Sequence, residues 1–216
     1  MADAPIVAVR GEVFREFPPE VARFSVTVAS RQADRRDTLV RLAERADAVR
    51  ELLDGYAAAI ERRETGDLLV RPERQGPRER VVAYHGSFTT TVTVTDFTVL
   101  GELMLRLADQ DQSSVAGPWW GLRPGSPVHR EARRDAIAEA LARAREYAGA
   151  LGARVTALVE LADAEVAQQP LSMARMSYGF DAAGAGDAPP QLDFDPQLQT
   201  VHASVQARFT ISEPEL

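Results

Sequence analysis

Between residues 199 and 211 apolar and polar positions alternate almost without error. Val201, Ala203, Val205, Ala207, Phe209 and Ile211 fall on one side, and Thr200, His202, Ser204, Gln206, Arg208 and Thr210 on the other. A period of two held over the whole stretch predicts a long strand with one buried and one wet face. The same period marks residues 6–14, with Gly11 expected at a bulge or twist point. It returns over 21–30, where Ala22, Phe24, Val26 and Val28 oppose Arg23, Ser25 and Thr27. Only a turn at Pro18-Pro19 separates these two stretches, so they are expected to pair as a hairpin. Shorter strands are predicted at 68–72, 115–122 (broken by Gly117-Pro118) and 154–161, and a long threonine-rich one at 81–95. Residues 73–80, with Gly76-Pro77 and several charges, read as a turn or exposed loop.

Elsewhere the period lengthens to that of a helix. Leu39, Leu42, Ala43, Ala46, Val49, Leu52, Leu53, Tyr56 and Ile60 recur at spacings of three and four, which predicts a helix over 36–62 capped by Asp34 or Asp37. Asp96 caps a second, over 96–109, carrying Phe97, Leu100, Leu103, Met104 and Leu107. Ser126-Pro127 starts a third, over 126–151, which stops at Gly152. Its inner stripe is small: Ala132, Ala136, Ala140, Ala144 and Ala148, with Ile137, Leu141, Tyr147 and Leu151 beside it. Small residues let a helix lie close to what it packs on. Residues 165–196 lose all periodicity and read as a long excursion between the last two strands. Neighbouring long strands favour antiparallel pairing. The expected class is therefore α+β: one domain over 1–216, with three main helices packed on a mixed, mainly antiparallel sheet.

Composition narrows the function classes. A net charge of −7 argues against general affinity for nucleic acid. All 25 basic residues are Arg, which reads as the codon bias of a GC-rich genome. The absence of Cys excludes disulfides, thiolate nucleophiles and Cys-ligated metals. No apolar run approaches a membrane span. The stretch from Met1 to Pro5 has neither the basic nor the apolar region of a secretory signal, so a cytoplasmic protein is expected.

In this order the segments resemble the SIMPL-domain family, a large group known as a domain of unknown function. Val9-Arg10-Gly11-Glu12-Val13 through Pro18-Pro19-Glu20-Val21-Ala22 is similar to the family's opening strands. Gly66-Asp67-Leu68 with Val70 and Pro72 resembles the strand after its first helix. Tyr84-His85-Gly86-Ser87, then Val92-Thr93-Val94-Thr95-Asp96-Phe97 and Leu100-Gly101, resembles its central motif. Glu131-Ala132-Arg133-Arg134-Asp135-Ala136 opens a helix of the family type that reaches Gly152. The Trp119-Trp120 pair stands where members carry a simpler apolar strand. The resemblance implies relatives that are periplasmic, linked to oxidative-stress defence or known as immunogenic antigens. Some of these form large rings, and none shares an established catalytic mechanism.

Candidate chemistry is sparse. His85, His129 and His202 stand in no H-x-x-x-H or H-E-x-x-H arrangement, and only His85 with His202 could meet, if their strands pair. Asp181, Asp187, Asp193 and Asp195 match no calcium loop, and Asp109 with Asp111 reads the same way. Gly184-Ala185-Gly186 does not link a strand to a helix, as a dinucleotide loop must. No catalytic residue, metal ligand or cofactor is therefore assigned. Arg71, Arg74, Arg78 and Arg80 form a basic cluster suited to phosphate or carboxylate. Adjacent strand residues face opposite ways, so Trp119 and Trp120 cannot enter the same layer, and one of them is a candidate contact residue. Met173, Met176, Tyr178 and Phe180 are candidates too, as apolar residues in a segment without a core of its own. The expected function is a non-catalytic assembly or interaction protein, with a stress-related role implied by the resemblance. It is expected to form a homo-oligomer, a ring on the family's pattern, with no nucleic acid, no membrane span and an unidentified protein partner. The alternative is a small-ligand-binding module or enzyme using the 71–80 loop or the Trp119/Trp120 region.

Overall fold

The computed structural model describes residues 4–76, 79–163 and 192–215. Along them run β1 (Ile6–Phe17), β2 (Val21–Gln32), α1 (Arg35–Asp54), β3 (Ile60–Gln75), β4 (Arg80–Val94), α2 (Leu100–Ala108), β5 (Ser113–Gly121), α3 (Pro127–Ala150), β6 (Val155–Asp163) and β7 (Gln199–Ile211). A single 3₁₀ turn, Phe97–Val99, leads into α2. The class is α+β, three helices on antiparallel strands. The strands divide into two sheets, ordered β1-β7-β6 and β3-β4-β2-β5, and every described pairing is antiparallel. Each sheet belongs to its own compact unit.

The first unit holds β1, β6, β7 and α3. β7 is its central strand, pairing with β1 without interruption from Thr210↔Ile6 to Gln199↔Phe17. The predicted β1–β2 hairpin does not form. Pro18 and Pro19 lock φ in an extended value and remove two backbone donors, so the chain continues into the other sheet instead of reversing. Helix α3 lies over β1 and β7. Its capping hydroxyl is Ser126, which accepts from the Val128 amide at 3.3 Å. The five alanines of the stripe are all buried, whereas Ile137, Tyr147 and Leu151 are exposed. Gly11 makes no bulge, because the β1–β7 register runs straight through it. Instead, a Cβ there would stand 2.0 Å from the Ala136 carbonyl oxygen and 2.8 Å from the Ala140 Cβ. Glycine on the strand and alanine on the helix together let the two backbones touch.

The second unit holds β2–β5, α1 and α2. Its core gathers Phe24, Val26 and Val28 of β2, Val92 and Val94 of β4, Leu42, Val49 and Leu53 of α1, and Leu100, Leu103 and Leu107. Asp34 caps α1, accepting from the Arg36 amide at 2.6 Å. That helix ends before Gly55, well short of residue 62, because glycine is a poor helix former. Ile60 is already in β3, opposite Val94. β3 is sixteen residues long, not the short 68–72 strand of the sequence reading, and it reaches into the predicted loop. Three register shifts interrupt it, between Ile60 and Arg62, Thr65 and Leu68, and Glu73 and Arg74. The first two place the extra residue on β3 and reverse which of its side chains face inward, whereas the third places it on β4, so no single period of two runs along β3.

Candidate functional site

The tryptophans sit on β5, an edge strand of the four-stranded sheet. The pleat sends them to opposite faces, as alternation requires. Trp120 is half-buried and meets the Phe97 ring edge-on, centroids 4.9 Å apart. Trp119, beside Arg23 in register, is 45% exposed. Met173, Met176, Tyr178 and Phe180 lie outside the described residues.

The long alternating strand β7 is not an edge, since β1 and β6 cover it on both sides. Among the described residues the edges of this sheet fall on β1 and β6. Three large apolar side chains of β6 are open to solvent, Leu158 at 54%, Val159 at 50% and Leu161 at 45%. Leu158 and Leu161 stand opposite Phe209 and Ala207, whose side chains α3 buries, but the helix barely reaches β6. The register shift between Leu158 and Glu160 brings Val159 into the same exposed group. Sequence reasoning missed this strip because the bulge breaks the alternation that would have marked it.

Two polar clusters share one design, a histidine and an arginine bonded to the same oxygen of a glutamate. In the first unit His202 Nε2 lies 2.7 Å from Glu12 Oε1, which also accepts from Arg10 Nη2 at 3.2 Å. Arg10 Nε donates to the buried Ser204 Oγ at 2.8 Å, and Phe14 stacks on the imidazole at 4.4 Å. In the second, His85 Nε2 and Arg31 Nε each lie 2.8 Å from Glu73 Oε2. The condition under which His85 could meet His202, pairing of their strands, is not fulfilled, because β4 and β7 belong to different sheets. His129 sits half-buried in the first turn of α3. A nucleophile–base pair needs a hydroxyl or thiol bonded to the imidazole. Among the described residues Ser204 bonds Arg10 instead, and no group of three metal-ligating side chains converges.

Hydrogen bonds from Arg31 and then His85 hold the Glu73 carboxyl below its usual range, against a smaller opposing effect of desolvation. The stability this adds is fully present above the ordinary glutamate pKa of about 4.3 and is lost as pH falls through the lower folded value. Acidification through that window is therefore expected to shrink the difference in melting temperature between wild type and Glu73→Gln. A difference that stays constant down to pH 2 would show that the ion pair contributes nothing.

The basic cluster lies on the β3–β4 hairpin rather than on a loop. Arg74 pairs with Glu79 at 2.8 Å, while Arg71 stands in register with His85. Arg78 lies outside the described residues, as do Asp181 and Asp187. Asp111 pairs with Arg45. That pair borders a surface hollow of about 240 Å³, and a second hollow of about 110 Å³ lies between α1 and β3. Both are below the roughly 300–1,000 Å³ of small-molecule sites. Among the described residues no helix is long and apolar enough to cross a membrane.

A family model described as SIMPL, protein of unknown function (DUF541), matches residues 7–209. None of the curated proteins matches. Among solved structures, an amidohydrolase/peptidase from Burkholderia cenocepacia is 21% identical over 62% of this chain and 35% of its own, with a TM-score of 0.29. An amidase of the hydantoinase/carbamoylase family from Burkholderia multivorans is 15% identical over 59% and 32%, also with a TM-score of 0.29. The chain spans about a third of the length of these two proteins.

Proposed function

Since the chain belongs to the SIMPL family, we propose that it is a non-catalytic assembly module that forms a homo-oligomer through exposed sheet edges. The family resemblance supports a stress-related setting for it. The observation that carries the reading is the apolar edge β6. An open strand edge offers unpaired backbone groups, which proteins ordinarily blunt with charge or proline. Here leucine and valine flank that edge. A second copy of the same strand satisfies both the backbone and the side chains. Antiparallel pairing about a twofold axis closes the contact, and a head-to-tail contact that closes gives a ring. Trp119, on an edge of the other sheet, is a second contact point, and Met173, Met176, Tyr178 and Phe180 are proposed to join it. The small size of these two hollows and, among the described residues, the lack of a hydroxyl bonded to either carboxylate-held histidine support a role other than catalysis. The two units are proposed to act as one module, because the family match runs across both.

Light scattering tests this directly. The wild-type chain is expected to give a particle of at least twice its 23.6 kDa mass at micromolar concentration. Leu158→Glu with Leu161→Glu is expected to reduce it to a monomer with an unchanged circular dichroism spectrum. A monomeric wild type, or an assembly untouched by the two charges, would overturn the reading.

A further inference from the structure

We propose that the face of the β3-β4-β2-β5 sheet turned away from α1 carries an oxyanion site, in which Arg31 and Arg71 hold a phosphate group above His85. Three basic side chains stand in one row across three strands: Arg31 of β2 and Arg71 of β3 are both register partners of His85 of β4. Residues opposite one another on paired strands share a face. Gly86, the next residue of β4, faces the other way, onto Leu42 and Thr38 of α1. The row therefore points away from the helix.

Strand spacing sets the two arginine backbones about 10 Å apart, a span that two long side chains close from opposite sides over one tetrahedral group. Glu73 already orders this row while leaving most of its donors free. Its Oε2 takes both Arg31 Nε and His85 Nε2, so the bridge from β2 to β3 passes over β4. Ala83, the register partner of Glu73, is small and buried. Among the described residues neither Nη of Arg31 has a partner, and Arg71 has none at all. The site is open to a ligand, with 58% of the Arg31 side chain and 43% of that of His85 exposed.

Two guanidinium groups against one carboxylate leave an excess of positive charge, which selects an anion. One arginine fork saturates a carboxylate, whereas two forks approaching from different sides match the oxygens of phosphate. Glu73 orients Arg31 and also competes with the ligand for it. The site lies on the second unit, and its test reads binding rather than particle mass, so it stands apart from the assembly reading.

The experiment follows the Arg Nε–H signals of the full chain in ¹H–¹⁵N spectra during titration at constant ionic strength. One arm uses inorganic phosphate and the other glycerol 3-phosphate. Saturable shifts at Arg31 and Arg71 are expected. Equal affinity in the two arms would assign the site to the phosphate group alone, and tighter binding of the ester would assign it to a small phosphate ester. Arg71→Gln, which breaks no contact within the described residues, is expected to weaken binding at least fivefold. Glu73→Gln is expected to strengthen it about threefold by removing the competing carboxylate. A response that never saturates in either arm, or one unchanged by Arg71→Gln, would overturn the proposal.

Discussion

Gly11→Ala is expected to cost about 3 kcal/mol or more of stability, the upper end of what overpacking a core produces. The reason is the direction in which the added methyl points. Val7, Val9, Gly11 and Val13 alternate toward α3, and at Gly11 the helix backbone itself is the neighbour. The new Cβ would lie 2.0 Å from the Ala136 carbonyl oxygen and 2.6 Å from the Ala140 amide nitrogen. Backbone atoms in a helix cannot rotate aside, so α3 must lift from the sheet and loosen its buried alanine stripe. Gly86→Ala supplies the comparison. There the added methyl meets the Leu42 Cδ1 at 2.4 Å and the Thr38 Cγ2 at 2.9 Å, both ends of side chains that have other rotamers. Its cost is expected to be nearer 1 kcal/mol. Urea midpoints of the two variants rank them, and a Gly11→Ala midpoint equal to that of wild type would refute the close approach of strand and helix.

Phe24→Ala is expected to remove about 3–5 kcal/mol, the usual range for deleting a fully buried aromatic ring. Phe24 is 0% exposed on β2, the strand flanked by β4 and β5. Its register partner is Val92, and the same core holds Leu53 of α1 with Leu100, Leu103 and Leu107. Neighbours drawn from three elements cannot all collapse into the space left by the ring, so a cavity adds to the lost transfer energy. Native-state hydrogen exchange should show the loss in the amides of β2 and β4. A change below about 1 kcal/mol would mean that the ring is not enclosed as described.

Some of this was legible because it depends only on neighbours along the chain. The alternation in β7 marks its limits to the residue, since period two needs no knowledge of the partner strand. The five alanines of α3 announce a close-packed helix, and Gly152 and Ser126-Pro127 bound it, for equally local reasons. The Trp119-Trp120 pair had to split between two faces wherever its strand lay. Other features were hidden because bulges or distant partners create them. β3 was lost to two phase reversals of its own, and with it the true end of α1. Gly11 looked like a bulge because nothing on β1 reveals a helix that arrives more than a hundred residues later.

The sequence by itself thus determined the α+β class, the three helices, the long final strand and the family resemblance that the match over 7–209 bears out. Only the tertiary structure decided which strands are neighbours, that β7 is central while β6 is left at an edge, and that Arg31, Glu73 and His85 meet. Hydrophobic period records that a residue has a buried side, and that is a property of the local chain. Pairing between strands, and contacts such as Glu12 with His202, depend on which surfaces cover one another once both are folded. That choice is made by the sum of many weak contacts distant in sequence, and no short stretch of residues carries it.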